Sequence, residues 1–184
     1  MYELILPILY IFSGFFMKLS DDFYDEKNYK GIAIVLGIVC GIATAIASLL
    51  SVDAACIFIA ILLGNIIALK VDGIHHVVTM LAFVIILFVF SFFTLFVGSI
   101  STITIIALVL CIIGAFIDEL GNDNEKVYSW GRFFELFFEY RFTLKIVILV
   151  FALCGCFNIM SFVYFICFEL AYECARIIFE RFFL

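Results

Sequence analysis

Residues 31–48 read GIAIVLGIVCGIATAIAS, an apolar segment without a charged side chain. The hydrocarbon core of a bilayer requires a helix of roughly 20 apolar residues, so this segment is typical of a membrane span. Its small residues, above all Gly37 and Gly41 in a G-x-x-x-G pattern, allow neighbouring helices to approach closely in lipid. We therefore expect this helix to be central in a helical bundle, and we favour packing within the chain over dimerisation.

The composition of the whole chain agrees with this local pattern. Of its 184 residues, 67% are hydrophobic and 14% are charged, and the mean hydropathy is +1.32. Soluble domains have about 45–50% apolar and about 25% charged residues, so the composition excludes an ordinary soluble domain. The 10 Lys and Arg residues form no dense basic run, which disfavours a nucleic-acid partner. We predict an all-α, polytopic membrane bundle, a single transmembrane domain over residues 1–184 embedded in the lipid bilayer.

Apolar runs separated by polar segments predict about seven transmembrane helices. Asp53 is the expected N-cap of the third helix. The segment 128–142 alternates Phe with charged residues, which predicts an interfacial amphipathic helix between the fifth and sixth spans. The expected spans are 2–19, 31–51, 53–70, 76–97, 101–117, 143–157 and a last one from 161 toward the C-terminus.

The basic residues give these spans a direction. All 10 Lys and Arg residues fall at alternate connections or at the C-terminus, and the other connections contain none. Positive residues mark the cytoplasmic side, so we expect the N-terminus outside, the C-terminus inside and the acidic loops in the cytoplasm. The bias toward Ile and Phe is compatible with an archaeal or bacterial source, so we expect the cell membrane of a prokaryote.

Acidic residues gather in three segments on the predicted cytoplasmic face. These segments are KLSDDFYDEKNYK (18–30), KVDGIHH (70–76) and FIDELGNDNEK (116–126). Mg²⁺ takes oxygen ligands and is commonly held by one or two carboxylates plus substrate phosphates. If the helices form a compact bundle, the segments converge and a Mg²⁺ site is expected there; the alternative is that these acids are simply solvated at the membrane surface.

The two histidines follow each other in the second of these segments. Adjacent residues on a helix project about 100° apart, so we expect His75 and His76 not to serve one metal together. In one interpretation, one ring faces the acidic cleft as a ligand or base. In the other, both form an interfacial pair at the start of the fourth helix.

Two acidic segments resemble the motifs of a known family. Asp21–Glu26, DDFYDE, is similar to the first aspartate motif, N-D-x-x-D, of the UbiA-type membrane prenyltransferase superfamily. Asp118–Asp123, DELGND, resembles the second motif of that family, D-x-x-x-D. In the family, the two motifs lie on cytoplasmic helix ends four spans apart, and the predicted spans give the same separation and the same side here.

The resemblance implies a Mg²⁺-dependent transfer of a prenyl group from an isoprenyl diphosphate to a lipid or aromatic acceptor. The sequence does not identify the acceptor, the donor length or the oligomeric state. The resemblance implies that the catalytic and metal-binding residues are Asp21, Asp22, Asp25, Asp118 and Asp123. The residues expected to bind substrate at the same face are Lys27, Lys30, Lys126, Asn65, Asp72, His75 and Asn122.

Other functions are open at this point. The chain could be another lipid-phosphate transferase, or a non-catalytic membrane protein or cation transporter with solvated acidic loops. A transporter places acids near the bilayer midplane. Only Glu169 and Glu173 are candidates for that depth, whereas most acids lie at predicted helix ends. This distribution favours the enzyme.

Overall fold

The computed structural model describes residues 2–94, 102–122 and 124–184, and every regular element in these ranges is a helix. This confirms the all-α prediction. The helices are α1 (Tyr2–Asp25), α2 (Lys30–Leu50), α3 (Val52–Ile67), α4 (Ile74–Thr94), α5 (Thr102–Asn122), α6 (Glu125–Tyr128), α7 (Arg132–Glu139), α8 (Phe142–Leu153) and α9 (Ile159–Phe183).

Within the described ranges, three helical segments are long and apolar enough to cross a membrane. They are Leu4–Asp25, Lys30–Leu50 and Thr104–Asn122, and three shorter apolar helices accompany them. A membrane-embedded helical protein is thereby supported. The count of seven spans, the orientation and the single transmembrane domain stay predictions.

Two helices run further than the sequence suggested. The first acidic segment was predicted to be a loop, but α1 continues through it to Asp25, and α5 continues to Asn122. Leu19 and Phe23 explain the extension of α1, because these buried residues lie four positions apart and join a core cluster with Phe179. Residues four apart share one face of a helix, so this apolar face favours helix through the acidic segment.

The start of α3 differs from the prediction. Asp53 lies inside the first turn, whereas Ser51 caps the helix: its Oγ accepts a hydrogen bond from the backbone N–H of Ala54 at 3.4 Å. The prediction of Asp53 as N-cap is therefore wrong. Serine is as good an N-cap as aspartate, and a carboxylate within the first turn still interacts favourably with the helix dipole.

The chain divides into two compact units. The first contains α1, α2, α4 and most of α9, and the second contains most of α3 together with α5 to α8. In the second unit, α5 packs against α7 and α8.

In the first unit, α2 packs against both α1 and α4. A Cβ atom on Gly41 would lie 2.6 Å from the carbonyl oxygen of Thr79, and one on Gly37 would overlap the hydroxyl of the same residue. On the other side, Ser20 of α1 donates a hydrogen bond to the carbonyl of Ala33 at 2.8 Å. The predicted packing of the G-x-x-x-G pattern within the chain is confirmed.

Replacing Gly41 with Ala should destabilise the protein, because the added methyl group meets backbone atoms of α4. We expect the free energy of unfolding to fall by about 1–3 kcal/mol, the usual cost of overpacking. The measurement is chemical or thermal unfolding of the purified chain in one detergent.

Gly31→Ala is the matched control on the same helix, since a Cβ there meets nothing within 4 Å. Alanine is about 1 kcal/mol better than glycine in a helix, so this variant should be neutral or stabilised. Equal effects of the two substitutions would contradict the packing described above.

Candidate metal centre

The C-terminal end of α1 is strongly acidic. Asp21, Asp22 and Asp25 occupy its last turns, and no basic residue lies in the last turn. The C-terminal end of a helix carries a partial negative charge of its own. This end of the helix therefore favours a cation.

The start of α4 brings two imidazole rings to this acidic end. The Nε2 atom of His75 lies 3.3 Å from Oδ1 of Asp21, and the Nδ1 atom of His76 lies 3.8 Å from the same oxygen. One ligand atom from each of the three side chains can be chosen so that all lie within 4.8 Å of one another. Asp21, His75 and His76 therefore form a cluster with the composition of a metal site, which we call the Asp-His-His cluster.

His75 is the buried member of the cluster. The residue is 1% exposed, and neither ring nitrogen makes a hydrogen bond of acceptable geometry. Tyr24 stacks on its ring with centroids 4.2 Å apart, and a Cβ atom on Gly73 would overlap the ring edge. A buried polar group without a partner is costly, so the ring is held in a position where a bound ligand would repay its desolvation.

The prediction that the two rings diverge too far to serve one site is wrong. Their centroids lie 3.9 Å apart, and both rings approach Asp21. The reason is that His75 presents the nitrogen far from its backbone, whereas His76 presents the nitrogen near its backbone. The choice of different ring atoms compensates for the angle between adjacent helical positions.

The donors of the cluster do not fit Mg²⁺, which the family resemblance implies. Mg²⁺ takes oxygen ligands, whereas two of the three ligands here are imidazoles. Imidazole suits zinc, copper, iron and nickel.

Asp22 has a different partner. Its Oδ1 atom lies 2.8 Å from the ammonium group of Lys18, one helical turn away, and its Oδ2 atom is buried without a hydrogen bond. The Lys18 ammonium group also lies over the ring of Tyr172, 5.6 Å from its centroid. Asp21 and Asp22, adjacent in sequence, thus engage different groups.

Asp118, in the second motif, caps a helix. It is 1% exposed, and its two oxygens accept hydrogen bonds from the backbone N–H groups of Thr143 and Leu144, at 2.9 and 2.8 Å. These are the N–H groups that an N-cap normally satisfies, and Arg141, at the cap position of α8, makes no such bond. Arg141 instead pairs with Glu119 at 3.2 Å. Both oxygens of Asp118 therefore have backbone partners.

The other predicted site residues have varied surroundings. Asp72 is exposed, and its Oδ1 atom lies 3.9 Å from Nε2 of His76. Lys30 lies over the ring of Tyr24, 5.9 Å from its centroid. Asn122 accepts hydrogen bonds from the hydroxyl of Tyr128 at its carbonyl oxygen and at its Oδ1 atom. Asp25 and Lys126 are exposed, Lys27 and Asn65 are half-buried, and Asp123 lies outside the described residues.

The two aspartate motifs belong to different units. The prediction that they reach one diphosphate together stays a prediction. The residues that sequence reasoning missed are those that hold His75: Tyr24, which stacks on it, and Gly73, which leaves room for it. The DG turn at 72–73 was recognised in the sequence, but nothing local shows that its glycine faces an aromatic ring.

Comparison of the chain with protein-family models, with curated proteins and with solved structures gives no match. The UbiA-type resemblance therefore depends on the motifs and the predicted topology alone.

Replacing Asp118 with Ala should destabilise the second unit, because two backbone N–H groups lose their acceptors. The expected loss in free energy of unfolding is about 1–3 kcal/mol, the cost of leaving a buried donor unsatisfied. Asp118→Asn keeps one acceptor oxygen and should lose less. Unfolding in detergent measures both, and wild-type stability of the alanine variant would show that the carboxylate does not act as a cap.

Proposed function

We propose that this chain is an integral membrane prenyltransferase that binds an isoprenyl diphosphate at the acidic end of α1 and transfers the prenyl group to a lipid or aromatic acceptor. The proposal includes about seven spans, an external N-terminus and a cytoplasmic site in a prokaryotic cell membrane. The observation that carries it is the meeting of Asp21 with His75 and His76, next to the acidic motif that prompted the resemblance.

The position of the cluster along α1 supports this substrate class. Asp21 and Asp25 lie four residues apart, on one helical face, at the end of the candidate span Leu4–Asp25. The end of a span is the level at which apolar membrane meets water. An isoprenyl diphosphate has the same division, with an apolar tail and an anionic head, so its tail would follow the apolar helices while its head met the cation-binding end.

The chemistry required is departure of the diphosphate with its bonding electrons, which leaves positive charge on the prenyl carbon. Lys27 and Lys30 follow α1 directly and would contribute positive charge toward the departing oxygens. Magnesium enters as the companion of the diphosphate, with ligands from the phosphate oxygens and the exposed carboxylate of Asp25. The ring of Tyr24, which already lies beneath the Lys30 ammonium group, would face developing cationic charge in the same way.

Thermal unfolding of the purified chain in detergent tests the proposal. Geranylgeranyl diphosphate with Mg²⁺ should stabilise the folded state, by about 2.7 kcal/mol at a free concentration 100 times the dissociation constant. Geranylgeraniol, which has the same tail and no diphosphate, should have little effect. Asp25→Asn should weaken the stabilisation, whereas Glu135→Gln, an exposed acid on α7, should leave it unchanged.

Equal stabilisation by the alcohol and the diphosphate would indicate nonspecific binding of the tail and would contradict the proposal. So would the absence of any stabilisation. Either result would favour a non-catalytic or transporting role for the acidic end of α1.

A further inference from the structure

We infer that Asp21, His75 and His76 bind a divalent transition metal of the zinc class, with Asp21 Oδ1, His75 Nε2 and His76 Nδ1 as ligands. The inference names the resident metal of the site described above, and it rests on the proposed function only for what the metal does there. The binding itself requires no diphosphate.

The geometry is close to that of a three-ligand site. Zinc–nitrogen and zinc–oxygen bonds are about 2.0–2.2 Å long, which places tetrahedral ligands about 3.3–3.5 Å apart. The two imidazole nitrogens lie 3.3 and 3.8 Å from Oδ1 of Asp21. All three side chains offer ligand atoms within 4.8 Å of one another, so closure around an ion requires side-chain movements on the order of 1 Å.

The buried imidazole is an independent observation that points to a ligand. His75 is 1% exposed, its ring nitrogens have no hydrogen-bond partner, and its Nε2 atom faces the carboxylate of Asp21. Tyr24 on one ring face and Gly73 at the ring edge hold it in place. Coordination would give the Nε2 lone pair the partner that it lacks.

The ligand set selects the class of metal. Two imidazoles and one carboxylate are a ligand set of catalytic zinc sites and also of non-haem iron sites. Such three-ligand sites keep positions open for water or substrate. In the proposed enzyme, that open position would accept a phosphate oxygen. Mg²⁺, which prefers six oxygen ligands, should compete poorly.

The test is metal binding by the full-length, chelator-treated chain in detergent, without any diphosphate. Zn²⁺ is titrated against a chromophoric chelator, and Co²⁺ is used as a spectroscopic substitute. We expect one equivalent to bind with nitrogen and oxygen ligation, and Zn²⁺ to bind at least about 100-fold more tightly than Mg²⁺.

Four variants locate the site. Asp21→Asn and His76→Ala should each weaken Zn²⁺ binding by about 100-fold or more, since each removes a ligand, and loss of a supporting contact alone costs about 10–100-fold. The side chain of His76 is 30% exposed, so its removal should leave the fold intact. Gly73→Ala should weaken binding by about 10–100-fold by displacing the ring of His75. Glu26→Gln, an exposed acid just beyond α1, is the matched control and should bind normally.

Exposed cysteines are the competing ligands. Cys154 and Cys156 are both exposed, and thiolates bind Zn²⁺ well. A sulfur-type cobalt spectrum, with binding lost in Cys154→Ser and kept in His76→Ala, would overturn the inference. So would the absence of Zn²⁺ binding. If Zn²⁺ binds and geranylgeranyl diphosphate does not stabilise the protein, the metal site stands and the prenyltransferase proposal fails; the opposite pair of results reverses this.

Discussion

The close packing of α2 against two neighbouring helices is the constraint on which the candidate site depends. Ala33 receives the hydroxyl of Ser20 from α1, and Gly37 and Gly41 leave room for the backbone of α4. A Cβ atom on Gly37 would lie 3.1 Å from the carbonyl oxygen of His75. The glycine therefore lies directly beneath the histidine turn, and the absence of its side chain allows that turn to approach the acidic end of α1.

The site then follows from what each helix end carries. The end of α1 concentrates negative charge, and the start of α4 supplies nitrogen ligands. Neither feature alone would bind a metal selectively, because acids at a membrane surface are commonly solvated and a histidine pair is commonly interfacial. Their meeting changes the chemistry, since it places a buried imidazole without hydrogen bonds against a carboxylate.

Much of the fold could be predicted from the sequence. The bounds of α2 were predicted to within one residue, because its apolar segment is sharply bounded, and the role of its glycines followed from the behaviour of small residues in lipid. The extension of α1 could not be read as easily, since its acids suggested a loop while Leu19 and Phe23 favoured a helix. Tertiary packing decided that conflict.

The side-chain geometry was the part that local pattern could not give. The divergence of adjacent helical residues is a rule about Cβ directions, and it does not say which ring nitrogen reaches a neighbour. The capping of α8 by Asp118 was hidden for a similar reason, because the cap comes from a residue 24 positions before the helix. The two aspartate motifs look alike in sequence, yet Asp21 meets imidazoles whereas Asp118 meets backbone N–H groups.

X-ray absorption at the zinc edge of the zinc-loaded, full-length chain tests the central claim most directly, because it identifies the atoms bound to the metal. The Asp-His-His cluster predicts nitrogen and oxygen neighbours at about 2.0–2.2 Å, with the outer-shell scattering of two imidazole rings. This pattern should disappear in His76→Ala. Sulfur neighbours at about 2.3 Å, or oxygen neighbours without imidazole scattering, would contradict the claim.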